Sequence, residues 1–98
     1  MSTIAHLING EYVNDNGRTA SVYNPSTGQV VNQVALASRA TVQQAIAVAQ
    51  AAYPAWRNTP AAKRAQVMYR FKQLLEANEA RISQLISEEH GKTLEDAA

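Results

Sequence analysis

The hydrophobic residues of the first 37 positions lie in short clusters separated by turn-forming residues, a spacing typical of β-strands. Asn9-Gly10 lies between two of these clusters, and both residues tolerate the positive φ angles of a type I′ turn. We therefore predict a β-hairpin around them. The strand-forming residues are Ile4, Leu7, Ile8, Tyr12, Val13, Val22, Tyr23, Val30, Val31 and Val34.

Two further turns are predicted from runs of Asn, Asp, Pro, Ser and Gly, which favour reversal of the chain. The first run is Asn14-Asp15-Asn16-Gly17, and the second is Asn24-Pro25-Ser26-Thr27-Gly28. We accordingly predict one strand over residues 20–23, between the turns, and a last strand over residues 29–35.

From Ser38 onward the hydrophobic spacing changes to three and four residues, which is the stripe of an amphipathic α-helix. Ser38 is a suitable N-cap. Pro54 is expected to end or tighten the helix, because it lacks an amide hydrogen and its ring clashes with the preceding turn. The stripe consists of Val42, Ile46, Ala49, Tyr53 and Trp56. We expect the face of Val42, Ile46, Tyr53 and Trp56 to be buried against a parallel sheet that is mostly encoded elsewhere.

A second and a third helix are predicted after Asn58. Thr59 is the expected N-cap of the second, with Pro60 at the first helical position, where a missing amide hydrogen costs nothing. Asn78 is expected to begin the third. In the second helix we also expect the face of Val67, Phe71 and Leu74 to be buried against that sheet. The stripes are Val67, Met68, Phe71, Leu74 and Leu75 in the second helix and Ile82, Leu85 and Ile86 in the third.

The last residues indicate the end of one helix and the start of another. Gly91 suits the left-handed conformation that ends a helix, and Thr93 forms a capping box with Asp96 three residues later. A fourth helix should therefore begin at Leu94, about one turn before Ala98. Because so short a helix is poorly stable by itself, we expect these residues to be part of a longer protein.

The composition excludes several classes of protein. The chain has no cysteine, which excludes disulfides, thiolate zinc sites, iron–sulfur clusters and a cysteine nucleophile from these residues. No apolar run approaches the roughly 20 residues of a transmembrane helix. The sequence shows neither a signal peptide nor a glycosylation sequon, so we expect a cytoplasmic location.

The charge distribution does not point to a nucleic acid or a membrane as partner. A net charge of +1 is too small to indicate either. Arg57, Lys63, Arg64, Arg70 and Lys72 form a stretch without an acid, which we interpret as a solvated helix face. The stretch contains no glycine-rich clamp of the kind found in nucleic-acid sites.

His90-Gly91-Lys92-Thr93 has the appearance of the end of a phosphate-binding loop. That motif requires a glycine five residues before Gly91, where this chain has Ile86. A helix C-cap at Gly91 and an N-cap at Thr93 explain the same residues. We therefore assign no phosphate site.

Other titratable and nucleophilic side chains lack the arrangement that catalysis or metal binding needs. Glu88 and Glu89 point about 100° apart on a helix and do not converge on one atom. His6 and His90 lie at opposite ends of the chain without carboxylates at ligand spacing. No serine lies in a Gly-x-Ser-x-Gly sequence. We predict no catalytic, cofactor-binding or metal-binding residue within this chain.

Five segments nevertheless occur in the order and spacing of one known family, and through them the chain resembles the beginning of an aldehyde dehydrogenase. The resemblance extends from Leu7 to Ala98. The segments are Leu7 to Val13, Val22 to Val30, Ala45 to Trp56 with its Tyr53-Pro54-Ala55-Trp56 signature, Arg64 with Leu74-Leu75 and Leu85-Ile86, and Glu88 to Thr93.

The resemblance implies an α/β fold in which these residues supply the N-terminal strands and outer helices of a nucleotide-binding domain. Residues 1–37 would form the β-strand and hairpin region, and residues 38–98 the helical region of the same, incomplete domain. Within the superfamily, three segments are most similar to the CoA-acylating methylmalonate-semialdehyde dehydrogenases. They are Gly91 to Ala97, Gln66-Val67 and Leu74-Leu75.

The resemblance also implies an activity for the parent protein. Members of the family oxidise an aldehyde with NAD through a cysteine thiohemiacetal. In this subfamily, coenzyme A attacks the resulting thioester and the substrate carboxylate leaves as carbon dioxide. The resemblance implies that this reaction is a step of valine catabolism. The substrate would be a small aldehyde, (methyl)malonate semialdehyde, and the product propionyl-CoA or acetyl-CoA. The expected partners are the remainder of the dehydrogenase chain and further copies of it, as a dimer or tetramer.

No catalytic residue of the family falls on this chain, since the nucleophilic cysteine lies beyond Ala98. Some members hold a monovalent cation with two main-chain carbonyls and an acid, and the matching positions are Val22, Tyr23 and Glu89. Glutamate stands there in place of the shorter aspartate of better-known members, so we assign no ligand. Two alternatives remain: another aldehyde dehydrogenase of the superfamily, or a free-standing helical interaction module without catalysis.

Overall fold

A computed structural model describes residues 2–15 and 17–98 of the chain. It divides into two compact units, one spanning 1–23 and 30–57 and the other 24–29 and 58–98. None of the helices in the described residues is long and apolar enough to cross a membrane. The elements of the described residues are β1 (Thr3–Ile4), β2 (His6–Ile8), β3 (Glu11–Val13), β4 (Thr19–Tyr23), β5 (Val30–Ala35), α1 (Arg39–Asn58), α2 (Ala61–Ala77), α3 (Glu79–His90) and α4 (Leu94–Ala97).

The first unit contains a three-stranded sheet in the order β1-β5-β4. β4 runs antiparallel to β5 with Ala20 opposite Val34, and the register shifts between Val22 and Tyr23. The strands predicted over 20–23 and 29–35 are confirmed, each with a start that differs by one residue.

The sheet has a third strand that the sequence pattern did not predict as a partner of β5. β1 pairs with β5 in parallel, with Thr3 opposite Gln33 and Ile4 opposite Val34. The Ser2 carbonyl extends this ladder by accepting the Gln33 N–H at 3.0 Å. The pairing joins segments about 30 residues apart, so turn residues next to either strand do not reveal it.

The predicted hairpin is confirmed. β2 and β3 are antiparallel, with Leu7 opposite Tyr12 and Ile8 opposite Glu11. Asn9 has φ 54° and Gly10 has φ 75°, which are the two positive angles that a type I′ turn requires. The turn predicted over 14–17 includes Asn16, which lies outside the described residues.

Ser38 begins α1 as predicted. The Thr41 N–H donates to Ser38 Oγ at 3.2 Å, and the Val42 N–H donates to the Ser38 carbonyl at 3.1 Å. We predicted that Pro54 ends or tightens the helix. The prediction that the helix ends there is wrong, because α1 continues to Asn58. Proline removes one hydrogen bond of the helix, but its fixed φ is itself helical, so the residues that follow keep the helical path.

The start of α2 differs from the prediction by one residue. Pro60 is the N-cap, with φ −55° and ψ 144°, in place of Thr59. Because that ψ is extended, Pro60 cannot be the first helical residue. Its carbonyl accepts the N–H groups of Lys63 and Arg64, each at 3.0 Å.

The boundaries of α3 and α4 follow the sequence signals. Asn78 precedes α3 as predicted, although its Nδ2 donates back to the Leu74 carbonyl at 2.8 Å. Gly91 ends α3 in the left-handed conformation, with φ 86°. Thr93 begins α4, since its Oγ1 accepts the Asp96 N–H at 3.3 Å.

The apolar helix faces predicted to be buried are exposed in this chain. Among the described residues the buried side chains are all small, namely Ala35, Thr41 and Ser83. An apolar stripe is buried only where another element packs on it, so the burial of these faces in a longer protein stays a prediction. The exposed fractions lie between 43 and 60% for Val42, Ile46, Tyr53 and Trp56, and between 39 and 62% for Val67, Phe71 and Leu74.

Candidate functional site

The turn over 24–28 and the end of α3 meet in the second unit. A Cβ atom added to Gly91 would lie 3.3 Å from Pro25 Cγ and 3.9 Å from Pro25 Cβ. A methyl group there would be tighter than ordinary van der Waals contact, so Pro25 would have to shift by a few tenths of an ångström. The φ angle of position 91 is what favours glycine there. The contact brings together two of the segments that carry the family resemblance.

Hydrogen bonds within each segment fix both sides of this contact. In the turn, the Gly28 N–H donates to the Asn24 carbonyl at 2.7 Å, and the Ser26 N–H donates to Asn24 Oδ1 at 2.9 Å. At the end of α3, Ser87 Oγ donates to the Lys92 carbonyl beyond the helix at 2.7 Å. Backbone groups and small side chains make these bonds, so the junction is a packing site and offers no catalytic group.

A second polar cluster lies in the first unit, around Asp15. Its carboxylate accepts the Ser38 N–H at 2.6 Å and the hydroxyl of Thr41, and Ser38 Oγ donates to Thr41 Oγ1 at 3.1 Å. The hydrogen bond from Thr41, followed by that from the Ser38 backbone, lowers the pKa of Asp15, with a smaller contribution from His6. Hydrogen bonding to the charged form favours that form.

This cluster has the properties of an anchor for α1. A carboxylate whose oxygens already accept bonds from a backbone amide and a hydroxyl is poorly suited to take a proton from a substrate. The sequence pattern predicts Asp15 in a turn and does not reveal its bonds to Ser38 and Thr41. The available signal was the first turn of α1, which has no acid of its own, although acids are favoured there.

The acids and the histidine singled out near the end of α3 do not converge. Glu88 Oε1 accepts a hydrogen bond from Gln84 Nε2 at 3.0 Å along the same helix. Glu88, Glu89 and His90 are all exposed. In residues 2–15 and 17–98, no group of three His, Asp or Glu side chains could hold a metal ion.

The two halves of the family's cation position lie in different units. Val22 and Tyr23 belong to β4 in the first unit, and Glu89 belongs to α3 in the second. We assign no cation ligand to them.

Most of the basic stretch is engaged locally. Arg57 lies 5.4 Å from the ring centroid of Tyr53, a cation–π distance. In the second unit, Arg64 Nε donates to the Thr59 carbonyl at 3.1 Å, and Lys72 forms an exposed ion pair with Glu76 at 3.7 Å. These contacts are typical of the solvated helix surface that we predicted.

A groove of about 480 Å³ runs between α2, α3 and α4 in the second unit. Carboxylates, alanines and one apolar side chain form its walls, and the buried Ser83 lies among them. The groove contains no nucleophile paired with a base. Its lining residues are Glu76, Ala77, Glu79, Ala80, Ser83, Leu94 and Ala98.

Comparison with known proteins shows the family. The model of the aldehyde dehydrogenase family matches residues 12–98. The chain belongs to the aldehyde dehydrogenase family. It is 72% identical, over all 98 residues, to a malonate-semialdehyde dehydrogenase of Pseudomonas aeruginosa, of which it covers 20%.

Solved structures of this family have the same fold over the described part of the chain. A methylmalonate-semialdehyde dehydrogenase from Oceanimonas doudoroffii matches with a TM-score of 0.96 and 57% identity, over 99% of this chain and 20% of that one. A Sinorhizobium meliloti protein assigned to the same activity and complexed with NAD matches with a TM-score of 0.92 and 42% identity, over 97% and 20%. The predicted family and the incomplete α/β fold are confirmed.

The chain thus spans about a fifth of the length of its relatives. The resemblance to the methylmalonate-semialdehyde dehydrogenases, which was drawn from short motifs, is confirmed by similarity along the whole chain. The exposed stripes of α1 and α2 belong to a chain that corresponds to a minor part of a larger family fold.

Proposed function

We propose that this chain is the N-terminal part of an NAD-dependent, CoA-acylating dehydrogenase that oxidises malonate semialdehyde or methylmalonate semialdehyde. The observation that carries the proposal is the 72% identity, over all 98 residues of this chain, to the Pseudomonas aeruginosa malonate-semialdehyde dehydrogenase. Identity at that level is far above the 38% shared with the Bacillus cytotoxicus enzyme of the same name.

The proposed reaction uses groups that this chain does not provide. NAD would accept the hydride, and coenzyme A would accept the acyl group. The chain has four glycines and no cysteine, and the described glycines lie in turns or at a helix end, so no glycine-rich turn between a strand and a helix fits a dinucleotide. We therefore assign neither NAD nor coenzyme A to any residue here.

The contribution of these residues to the parent enzyme would be structural. Residues 1–37 and 38–98 would form the strand region and the helical region of one incomplete nucleotide-binding domain. The exposed stripes of α1 and α2 would be covered by the remainder of the dehydrogenase chain. For the whole protein we propose a cytoplasmic enzyme that assembles as a homo-oligomer.

The first test is to read the coding sequence beyond Ala98. We expect an open frame that extends to about five times the present length, as the 20% coverage of relatives implies, with one cysteine in a glycine-rich setting. A stop codon directly after Ala98 would contradict the enzyme proposal and favour a free-standing interaction module.

The second test is an assay of the protein encoded by the whole frame. With malonate semialdehyde, NAD and coenzyme A, we expect NADH and acyl-CoA to form together, and replacement of the cysteine by serine should abolish both. NADH formation that does not need coenzyme A would indicate another aldehyde dehydrogenase of the superfamily. The 98-residue chain serves as a matched control and should show no turnover, because it has no thiol.

A further inference from the structure

We draw no further inference here: the strongest candidate, the groove between α2, α3 and α4 beside Glu76, Glu79 and Ser83, carries none, because Glu76 already pairs with Lys72 and nothing in the structure shows what covers the groove.

Discussion

Asp15 holds the N-terminus of α1 from a position 23 residues earlier in the sequence. Its two carboxylate oxygens accept bonds from Ser38 and Thr41, and Thr41 is buried. The carboxylate thereby places negative charge next to the first turn of a helix, where the helix dipole favours it. The side chain acts as a cap supplied by another segment of the chain.

Replacement of Asp15 by asparagine should loosen this attachment. Since the pKa of Asp15 is lowered by its bonds to Thr41 and Ser38, the carboxylate stabilises the folded chain above its ordinary pKa of about 4. That stabilisation is lost as the pH falls through the lower value of the folded state. Asp15→Asn should remove this acid dependence and speed amide exchange at Ser38 several-fold at neutral pH.

Hydrogen exchange followed by NMR between about pH 3 and pH 7 provides the measurement, because it reports on single amides. Glu11→Gln is the matched control, since Glu11 is exposed on β3. Equal exchange at Ser38 in the Asp15 and Glu11 variants would show that the carboxylate does not anchor α1.

Gly91→Ala should destabilise the fold, chiefly through the backbone angle at position 91. An alanine with φ 86° adopts a left-handed conformation, at about 1–2 kcal/mol, and its Cβ would lie 3.3 Å from Pro25 Cγ. We expect a lower midpoint of urea unfolding, measured by helical circular dichroism. Gly17→Ala is the control, because a Cβ added there meets nothing within 4 Å. A midpoint as high as that of the control would contradict this prediction.

At the scale of elements, local chemistry predicted most boundaries. Asn9-Gly10 fixes the hairpin, Ser38 begins α1, Gly91 ends α3 and Thr93 begins α4. Each of these signals acts over four residues or fewer, through a backbone angle or a cap, so it is readable from the adjacent sequence.

Contacts between distant segments were not predictable in this way. The parallel pairing of β1 with β5, the bonds of Asp15 to α1 and the packing of Pro25 on Gly91 all join positions well separated in sequence. No periodicity encodes these partners, because spacing within one element states only which face is apolar. The turn over 24–28 and the helix end at Gly91 were therefore predicted as separate motifs, and the contact between them was found in the structure.

Pro54 lies inside α1, four residues before its end. Pro54→Ala restores an amide hydrogen and removes the ring clash, so we expect the helix to gain up to about 3 kcal/mol. Pro60→Ala is the matched control and should change little, since Pro60 is an N-cap without a side-chain hydrogen bond. Circular dichroism during urea unfolding measures both variants. If Pro54→Ala leaves the midpoint of urea unfolding unchanged, the helix ends at Pro54 in solution.

At the scale of the whole molecule, two observations fit a chain that is similar to only part of a larger protein: its exposed apolar surface and the small share of its relatives that it covers. Large hydrophobic side chains remain exposed along α1 and α2, and the chain spans 20% of the enzymes it matches. The apolar stripes were recognisable from their helical spacing. Their partners were not, because the spacing within one helix shows which face is apolar and not what packs on it.

The isolated 98-residue chain should therefore associate with itself. Exposed apolar stripes lower their free energy by packing on any apolar surface, and copies of the same chain are the available partner. We expect oligomers that grow with concentration in size-exclusion chromatography with light scattering. The double variant Ile46→Glu and Leu74→Lys places charges on two exposed stripe positions and should shift the chain toward monomer, whereas Gln44→Glu, on an exposed polar position of α1, should not. A monomeric parent chain with a sharp thermal transition would contradict this prediction, because such a chain would have to bury those faces within itself.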